Sequence, residues 1–312
     1  MKTLCLLKFS ALGDLAQIEP FLPSLSETFE ITFFTTQIGY EYYRSSPYIK
    51  KFILLKSKKI HHLFATIPQF CAQFDYFVDL QGNDRSKFLS LFALTKRVGN
   101  YTRHFRIAAI PVSLEAYIAP QSVYHVDLYS ILSQLPIHFQ FMPYKVKKQE
   151  YIVLNCGSSP KWISKRLPIE KWHEIATILY ERYKLPLVMT GEKNEEPYIN
   201  EIAQQWEYPT KILAGKTSLQ DLKKLLNDAL LVISTDSASL HIASAQGTPS
   251  IGIFGATSWI YAKPFGPWSI AIFDTNYYPN QIPPKYNQQE VGPYYDHINL
   301  LPALDALRTY LS

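Results

Sequence analysis

Three short segments carry residue types that could do chemistry. The first is Gly13-Asp14, at the end of an apolar run and the start of a helical pattern. A carboxylate there reads as a helix N-cap or as a general base. The two roles are compatible, because ligands of open α/β sheets sit beyond the carboxyl ends of the strands. Gly13 offers a turn with positive φ or a close approach of backbone to ligand. The second segment is Ser158-Ser159-Pro160-Lys161-Trp162, followed by Lys165-Arg166-Leu167-Pro168. Hydroxyls and cations between a strand and a helix can hold phosphate, with lysine acting as a point charge; a solvated basic loop is the other reading. The third segment runs Ser234-Thr235-Asp236-Ser237-Ala238-Ser239-Leu240-His241. There a strand passes through small polar residues into a short helix, whose free N–H groups and positive end suit an anion.

Other motifs fail on inspection. Gly215-Lys216-Thr217 has the tail of a phosphate-binding P-loop, but Thr210 stands where its first glycine belongs. No Gly-x-Gly-x-x-Gly follows the first strand, no Gly-x-Ser-x-Gly elbow occurs, and His173-Glu174 lacks the second histidine of a zinc-protease helix. No Asp-x-Asp pair is present, which weakens any scheme in which a divalent metal clamps a diphosphate.

The elements that must position these segments alternate. Thr3–Phe9 and Ile31–Thr35 read as buried parallel strands flanking a helical stretch, Leu15 to Ser26, that is broken by Pro20 and Pro23. Phe74–Leu80 and Arg97–Gly99 read as further strands, and nothing definite is expected over 100–150. From Tyr151 the pattern is clean. Strands are expected at 151–155, 187–190, 211–213, 230–234 and 250–254, with helices at 169–183, 194–206, 218–227 and 239–245 between them. Ser218 with Asp221 makes a capping signal. Residues 259–293 read as loop, and a last helix is expected at about 298–311. The expected fold class is α/β, with two Rossmann-like doubly wound domains over 1–148 and 149–312, the last helix packing back on the first.

Composition fits this plan. Of 312 residues 47% are hydrophobic and 18% charged, enough for two cores and too apolar for disorder. Residues 1–110 hold fourteen Lys/Arg against eight Asp/Glu, while the whole chain carries +5, so the basic charge lies in the first domain. Lys50, Lys51, Lys56, Lys58 and Lys59 form one cluster; Lys96, Arg97, Arg103 and Arg106 form another. These are solvated faces or a field facing an anionic partner. No nucleic-acid motif accompanies them. Cys5, Cys71 and Cys156 form no framework, and neither a spanning segment nor a signal peptide is read, so a cytoplasmic protein is expected.

Taken together, the motifs resemble the heptosyltransferase family of bacterial lipopolysaccharide core synthesis (glycosyltransferase family 9), along essentially the whole chain. The shared features are Ser10-Ala11-Leu12-Gly13-Asp14, Lys165-Arg166-Leu167-Pro168 before the helix with Trp172, and Gly215 to Leu219. Asp236 to His241, Gly247-Thr248-Pro249 and Phe254-Gly255-Ala256-Thr257 complete the series. The resemblance implies a GT-B fold with its domains across a cleft, and inverting, metal-independent transfer of heptose from ADP-heptose to the inner core. No cofactor is implied beyond that co-substrate. By matching positions, Asp14 would be the base, and Gly13 would line the donor site. Lys165 with Ser158 or Ser159 would hold the diphosphate, and Glu195 would reach the ribose. Backbone near Thr217 would read adenine, and Asp236, Ser237, Ala238 and His241 would line the sugar-diphosphate pocket. Lys56, Lys58, Lys59 and Arg103 would meet a phosphorylated lipid A–Kdo acceptor, with loose contact on the cytoplasmic face of the inner membrane. Two positions depart from the family: Leu167 replaces a Trp, and Ser237-Ala238 replaces Thr-Gly. Another nucleotide sugar, such as a UDP-sugar, is therefore the alternative donor. A catalytically silent nucleotide-binding homologue is the other rival.

Overall fold

The computed structural model describes residues 1–57, 59–99, 123–140, 150–204, 206–274, 276 and 290–311. Of these, 1–99 and 124–140 belong to one compact unit, and 123 with the residues from 150 onward to the other.

The first unit runs β1 (Lys2–Leu7), α1 (Leu12–Ala16), α2 (Leu22–Thr28), β2 (Phe29–Thr35), α3 (Gln37–Tyr43), β3 (Ile49–Leu54), α4 (Ile60–Thr66), β4 (Tyr76–Asp79), α5 (Asp84–Ser90), β5 (Lys96–Gly99) and α6 (Val123–Leu132). Its five strands lie in the order β3-β2-β1-β4-β5, and every pairing is parallel. The expected helix at 15–26 is split as its prolines demand, with a 3-10 turn over Glu19–Phe21 between α1 and α2.

The second unit runs β6 (Ile152–Asn155), α7 (Ile169–Tyr183), β7 (Leu187–Thr190), α8 (Glu196–Ala203), β8 (Thr210–Ile212), α9 (Leu219–Asn227), β9 (Leu231–Thr235), α10 (Ala238–Ala245), β10 (Ser250–Phe254), α11 (Trp259–Ala262), β11 (Ser269–Phe273) and α12 (Leu301–Ala306). The strand order is β11-β10-β9-β6-β7-β8, again all parallel. α7 forms because Trp172, Ile175, Ala176 and Leu179 make one apolar stripe, and all four are buried. Each large side chain of that stripe contributes about 1.5–3 kcal/mol on burial. Lys184 ends the helix in the left-handed conformation. At α9 the capping box forms as expected, with Ser218 Oγ accepting from Asp221 N at 3.2 Å.

Two expectations need correction. The stretch 259–293 is not all loop: it contains α11 and the edge strand β11, whose four apolar residues, Ile270 to Phe273, are hidden between Pro264, Pro267 and the following polar residues. The terminal helix is shorter than expected. Ala303, Leu304 and Leu307 are built into the core of the second unit with Ile175, Leu179 and Ile272.

Among the described residues, no helix is long and apolar enough to cross a membrane.

Candidate active site

In each sheet the strand order reverses direction at one place, between β1 and β4 in the first unit and between β6 and β9 in the second. Ligands of doubly wound sheets bind outside the carboxyl ends of the strands at such a switch point. The chemistry-bearing segments of the sequence lie at these two places.

In the first unit, Asp14 sits on α1, just past the carboxyl end of β1. It is not the N-cap, which is Ala11, but the third helical residue, and its carboxylate reaches back to Ala11 N at 3.3 Å. Gly13 lies inside α1 and is not among the glycines with positive φ. Sequence reasoning missed the partner of Asp14. Lys8 is buried, and its Nζ lies 3.0 Å from Asp14 Oδ2 and 3.2 Å from the carbonyl of Leu80. Asp14 itself keeps 38% of its side chain exposed, so the carboxylate is oriented from below and open above. The turn is held from β4: Gln81 Oε1 accepts from Phe9 N at 2.9 Å and Ser10 N at 3.2 Å. Asp79 anchors that loop by accepting from Gln81 N, Gly82 N and Ser86 Oγ at 2.8–2.9 Å. Burial pushes the Asp79 carboxyl up, against the pull of those hydrogen bonds and of Lys8. The signal for Lys8 was a charged residue inside an apolar strand run.

In the second unit, Lys165 and Asp236 meet at 2.7 Å, and Lys165 Nζ also donates to the Asp236 carbonyl at 3.3 Å. The ammonium lies 4.9 Å from the Trp162 ring centroid. Its loop, a 3-10 turn over Pro160–Lys165, is pinned on several sides. Ser158 Oγ donates to the Trp162 carbonyl at 2.8 Å, Tyr295 Oη to the Ser164 carbonyl at 2.9 Å, and Arg166 Nη2 to the Ser158 carbonyl at 3.2 Å. Ser158 is buried and Ser159 is the exposed N-cap of the turn, so both hydroxyls also have structural duties.

Burial alone would push the Asp236 carboxyl up. The nearby His241 ring and the charge of Lys165 outweigh it, and the group is held well below the usual carboxylate range. His241 Nε2 is 3.8 Å from Asp236 Oδ1. Its Nδ1 is buried and has no hydrogen-bond partner among the described residues, a cost that a bound ligand could relieve.

Asn155, at the end of β6, is the hub that sequence reasoning missed. Its amide donates to Ser234 Oγ at 3.2 Å and Ser237 Oγ at 3.1 Å, and its oxygen accepts from Thr190 Oγ1 at 3.1 Å and Ser239 Oγ at 2.9 Å. One side chain thereby ties β6, β7, β9 and α10 together. Ser237 is the N-cap of α10, but its hydroxyl faces Asn155 and Ser234 instead of capping. The helix start therefore has no side-chain acceptor on its first N–H groups, the arrangement an anion completes. Ala238 is the first residue of that helix, half-buried.

Glu195 is buried and accepts from Glu192 N at 2.6 Å. Burial pushes its carboxyl up. It fills the space against Gly157, where an added Cβ would lie 1.9 Å from Glu195 Oε2. The loop leading to Thr217 lies alongside, because Gly215 N donates to the Gly191 carbonyl at 2.9 Å. Leu167, one of the two departures, is buried in the core with Trp172 rather than at the ligand edge, so its exchange alters packing first. Of the basic residues expected to meet an acceptor, Lys56 and Lys59 are exposed on the first unit, and Lys58 and Arg103 lie outside the described residues.

Two parallel doubly wound units in one chain, each with charged residues gathered at its switch point, define the GT-B class of fold. The family model for glycosyltransferase family 9 (heptosyltransferase) matches residues 64–289, and the chain belongs to that family. Lipopolysaccharide heptosyltransferase 3 of Escherichia coli is 31% identical over 161 residues, 51% of this chain, and the chain spans about half (45%) of that relative's length. Lipopolysaccharide core heptosyltransferase OpsX of Haemophilus influenzae is 24% identical over 293 residues, covering 85% of this chain and 82% of its own. The solved E. coli ADP-heptose lps heptosyltransferase II superposes with a TM-score of 0.70 at 18% identity, covering 100% of this chain and 98% of that one, a likeness of fold.

Proposed function

We propose that this protein is an inverting glycosyltransferase that moves heptose from ADP-heptose onto the inner core of lipopolysaccharide without a metal ion. The observation that carries the reading is the cluster of polar and charged groups at the β6–β9 switch point, which suits an anion. There Lys165, the uncapped start of α10 and the unpartnered His241 Nδ1 lie around Asp236. Family membership and the printed names of the relatives, which are lipopolysaccharide and ADP-heptose enzymes, support the choice of substrates.

In this reading Asp14 accepts the proton of the acceptor hydroxyl as its oxygen attacks the anomeric carbon. The bond from that carbon to the diphosphate oxygen breaks, and ADP leaves with the electron pair. A single displacement inverts the anomeric centre. Lys165 and the amides of α10 take up the charge that develops on the leaving diphosphate, the work a metal does in other enzymes. Glu195 and the loop at Thr217 contact the nucleoside, with Ser158, Ser159, Ser237, Ala238 and His241 lining the donor site. Lys56, Lys58, Lys59 and Arg103 face the phosphorylated acceptor, which places the enzyme loosely on the inner leaflet.

The test is transfer to a Kdo-terminated acceptor, followed by mass spectrometry with EDTA present. A heptose mass increment with ADP-heptose, inverted in configuration and lost in Asp14→Asn, is the expected result. Transfer from UDP-sugars only, or dependence on added metal, contradicts it. Ala238, whose methyl stands where the family has glycine, is the residue to examine if UDP-sugars win.

A further inference from the structure

One exposed apolar surface of the first unit has no role in the chemistry above, although Lys56 and Lys59, assigned to the acceptor, stand at its edge. On α4, Ile60 and Phe64 are one helical turn apart on the outer face and are 65% and 50% exposed, while Leu63 and Thr66 point inward. Phe64 meets Phe88 of α5 (ring centroids 5.6 Å) and Phe92 in the turn after it (6.4 Å), which lie 5.2 Å from each other. Phe88 and Phe92 rest on the buried core of Phe70, Phe77 and Leu89, so the outer rings stand on a rigid base. Leu91, beside them at the end of α5, is 62% exposed, and Leu94 is 71% exposed. Large apolar side chains gathered this way on a water-facing surface mark a contact site.

The rim is cationic. Lys56 and Lys59 precede Ile60, Arg85 is exposed and Lys87 half-buried on α5, and Lys96 and Arg97 are exposed beyond Leu94. Among acidic residues of the same stretch, Asp79 is buried, Asp75 is engaged with Thr3, and Asp84 is exposed. An apolar ridge inside a basic rim matches the interface of an anionic bilayer, where rings enter the acyl boundary and lysines meet headgroups. A second copy of the chain fits poorly, because a two-fold contact sets each patch against itself and brings like charges together.

We propose that the Ile60–Phe64–Leu91 ridge is the membrane-docking surface of this protein, seating it on anionic phospholipid. The proposal deepens the reading of a lipid-anchored acceptor and rests on it for its purpose. Its test uses vesicles that contain neither donor nor acceptor, so either idea can fail alone.

The full chain is sedimented with vesicles of phosphatidylcholine in which roughly one lipid in three is phosphatidylglycerol, to supply a negative surface potential, and with phosphatidylcholine alone. Expected results are binding to the anionic vesicles only, weakening in high salt, and a loss of roughly tenfold or more in Ile60→Ser/Phe64→Ser. Both substituted side chains are exposed, so unchanged ADP titration and thermal unfolding are expected for that variant. A Phe64→Trp chain should shift its emission to the blue when anionic vesicles are added. The idea is overturned by wild-type binding in the Ser/Ser variant, by an unshifted Phe64→Trp emission, or by equal binding to neutral vesicles. It is equally overturned if the Ser/Ser change alters self-association in ultracentrifugation and leaves vesicle binding intact.

Discussion

Lys165 Nζ and Asp236 Oδ2 are 2.7 Å apart in a half-buried setting, although each comes from a different loop of the second unit. The pair joins the turn after β6 to the turn after β9, across the switch point. It also divides the lysine's duties, since part of its charge is already answered by a carboxylate. Replacing either partner therefore tests both structure and binding.

Asp236→Asn is expected to destabilise the fold by about 2–4 kcal/mol, somewhat less than the 3–5 typical of breaking a fully buried pair. The sign of the pH dependence follows from the depressed carboxyl. Its stabilising contribution is present in full above the ordinary value of 3.8 and is lost as pH falls below it through the lowered folded-state value. Chemical denaturation of wild type and Asp236→Asn should thus differ most near neutrality and converge in strong acid. A constant difference across that range would show that the carboxylate charge is not what the variant removes.

Lys8 holds Asp14 from beneath, at 3.0 Å. Lys8→Met should lower kcat while leaving the donor KM within a factor of about two, because its buried ammonium acts on the Asp14 carboxylate from beneath. Asp14→Asn should cost about 10²–10⁴ in rate, the usual span for a general base. If Lys8→Met raised donor KM and spared kcat, Lys8 would belong to binding and not to the orientation of the base.

Gly157 and Glu195 occupy the same space, since a Cβ on Gly157 would lie 1.9 Å from Glu195 Oε2. Gly157→Ala is expected to cost about 1–3 kcal/mol, as overpacked sites do. In a Glu195→Ala background the same change should cost much less, because the carboxylate is gone. Additive thermal-unfolding effects of the two substitutions would refute the contact.

How much of this was legible in the sequence depends on where the determinants lie. The second unit was read nearly element by element, because α7 with Trp172, Ile175 and Leu179 keeps a helical period and β10 is a continuous apolar run. β3 was missed because Lys50 and Lys51 interrupt Ile49–Leu54, and β11 because Gly266 and Pro267 precede it so closely. Asp14, Lys165, Asp236 and His241 stood out by type and position. Lys8 and Asn155 did not, because each acts only through partners brought together by the fold: Asp14 and Leu80 for one, Ser234, Ser237, Thr190 and Ser239 for the other. The Phe64–Phe88 ridge was equally hidden, since helical spacing alone does not say that two helices share an outer face.

Lys263, at the end of α11, is buried, and burial lowers its amine from an ordinary 10.5 to about 8. The folded chain then binds fewer protons than the unfolded one between those values, so stability should rise as pH climbs from about 8 to about 10.5. Over that window wild type should gain on Lys263→Met by about 3 kcal/mol, at 1.36 kcal/mol per pH unit. Parallel stability curves for the two proteins would mean that the amine is not desolvated.

The central claim, an anion site built for an ADP-sugar in the second unit, is tested most directly by calorimetric titration with ADP and with UDP. The account predicts that ADP binds more tightly, and that Lys165→Ala weakens it by about tenfold or more, one charge-assisted hydrogen bond's worth. Tighter binding of UDP, or ADP binding that is indifferent to Lys165→Ala, would contradict it.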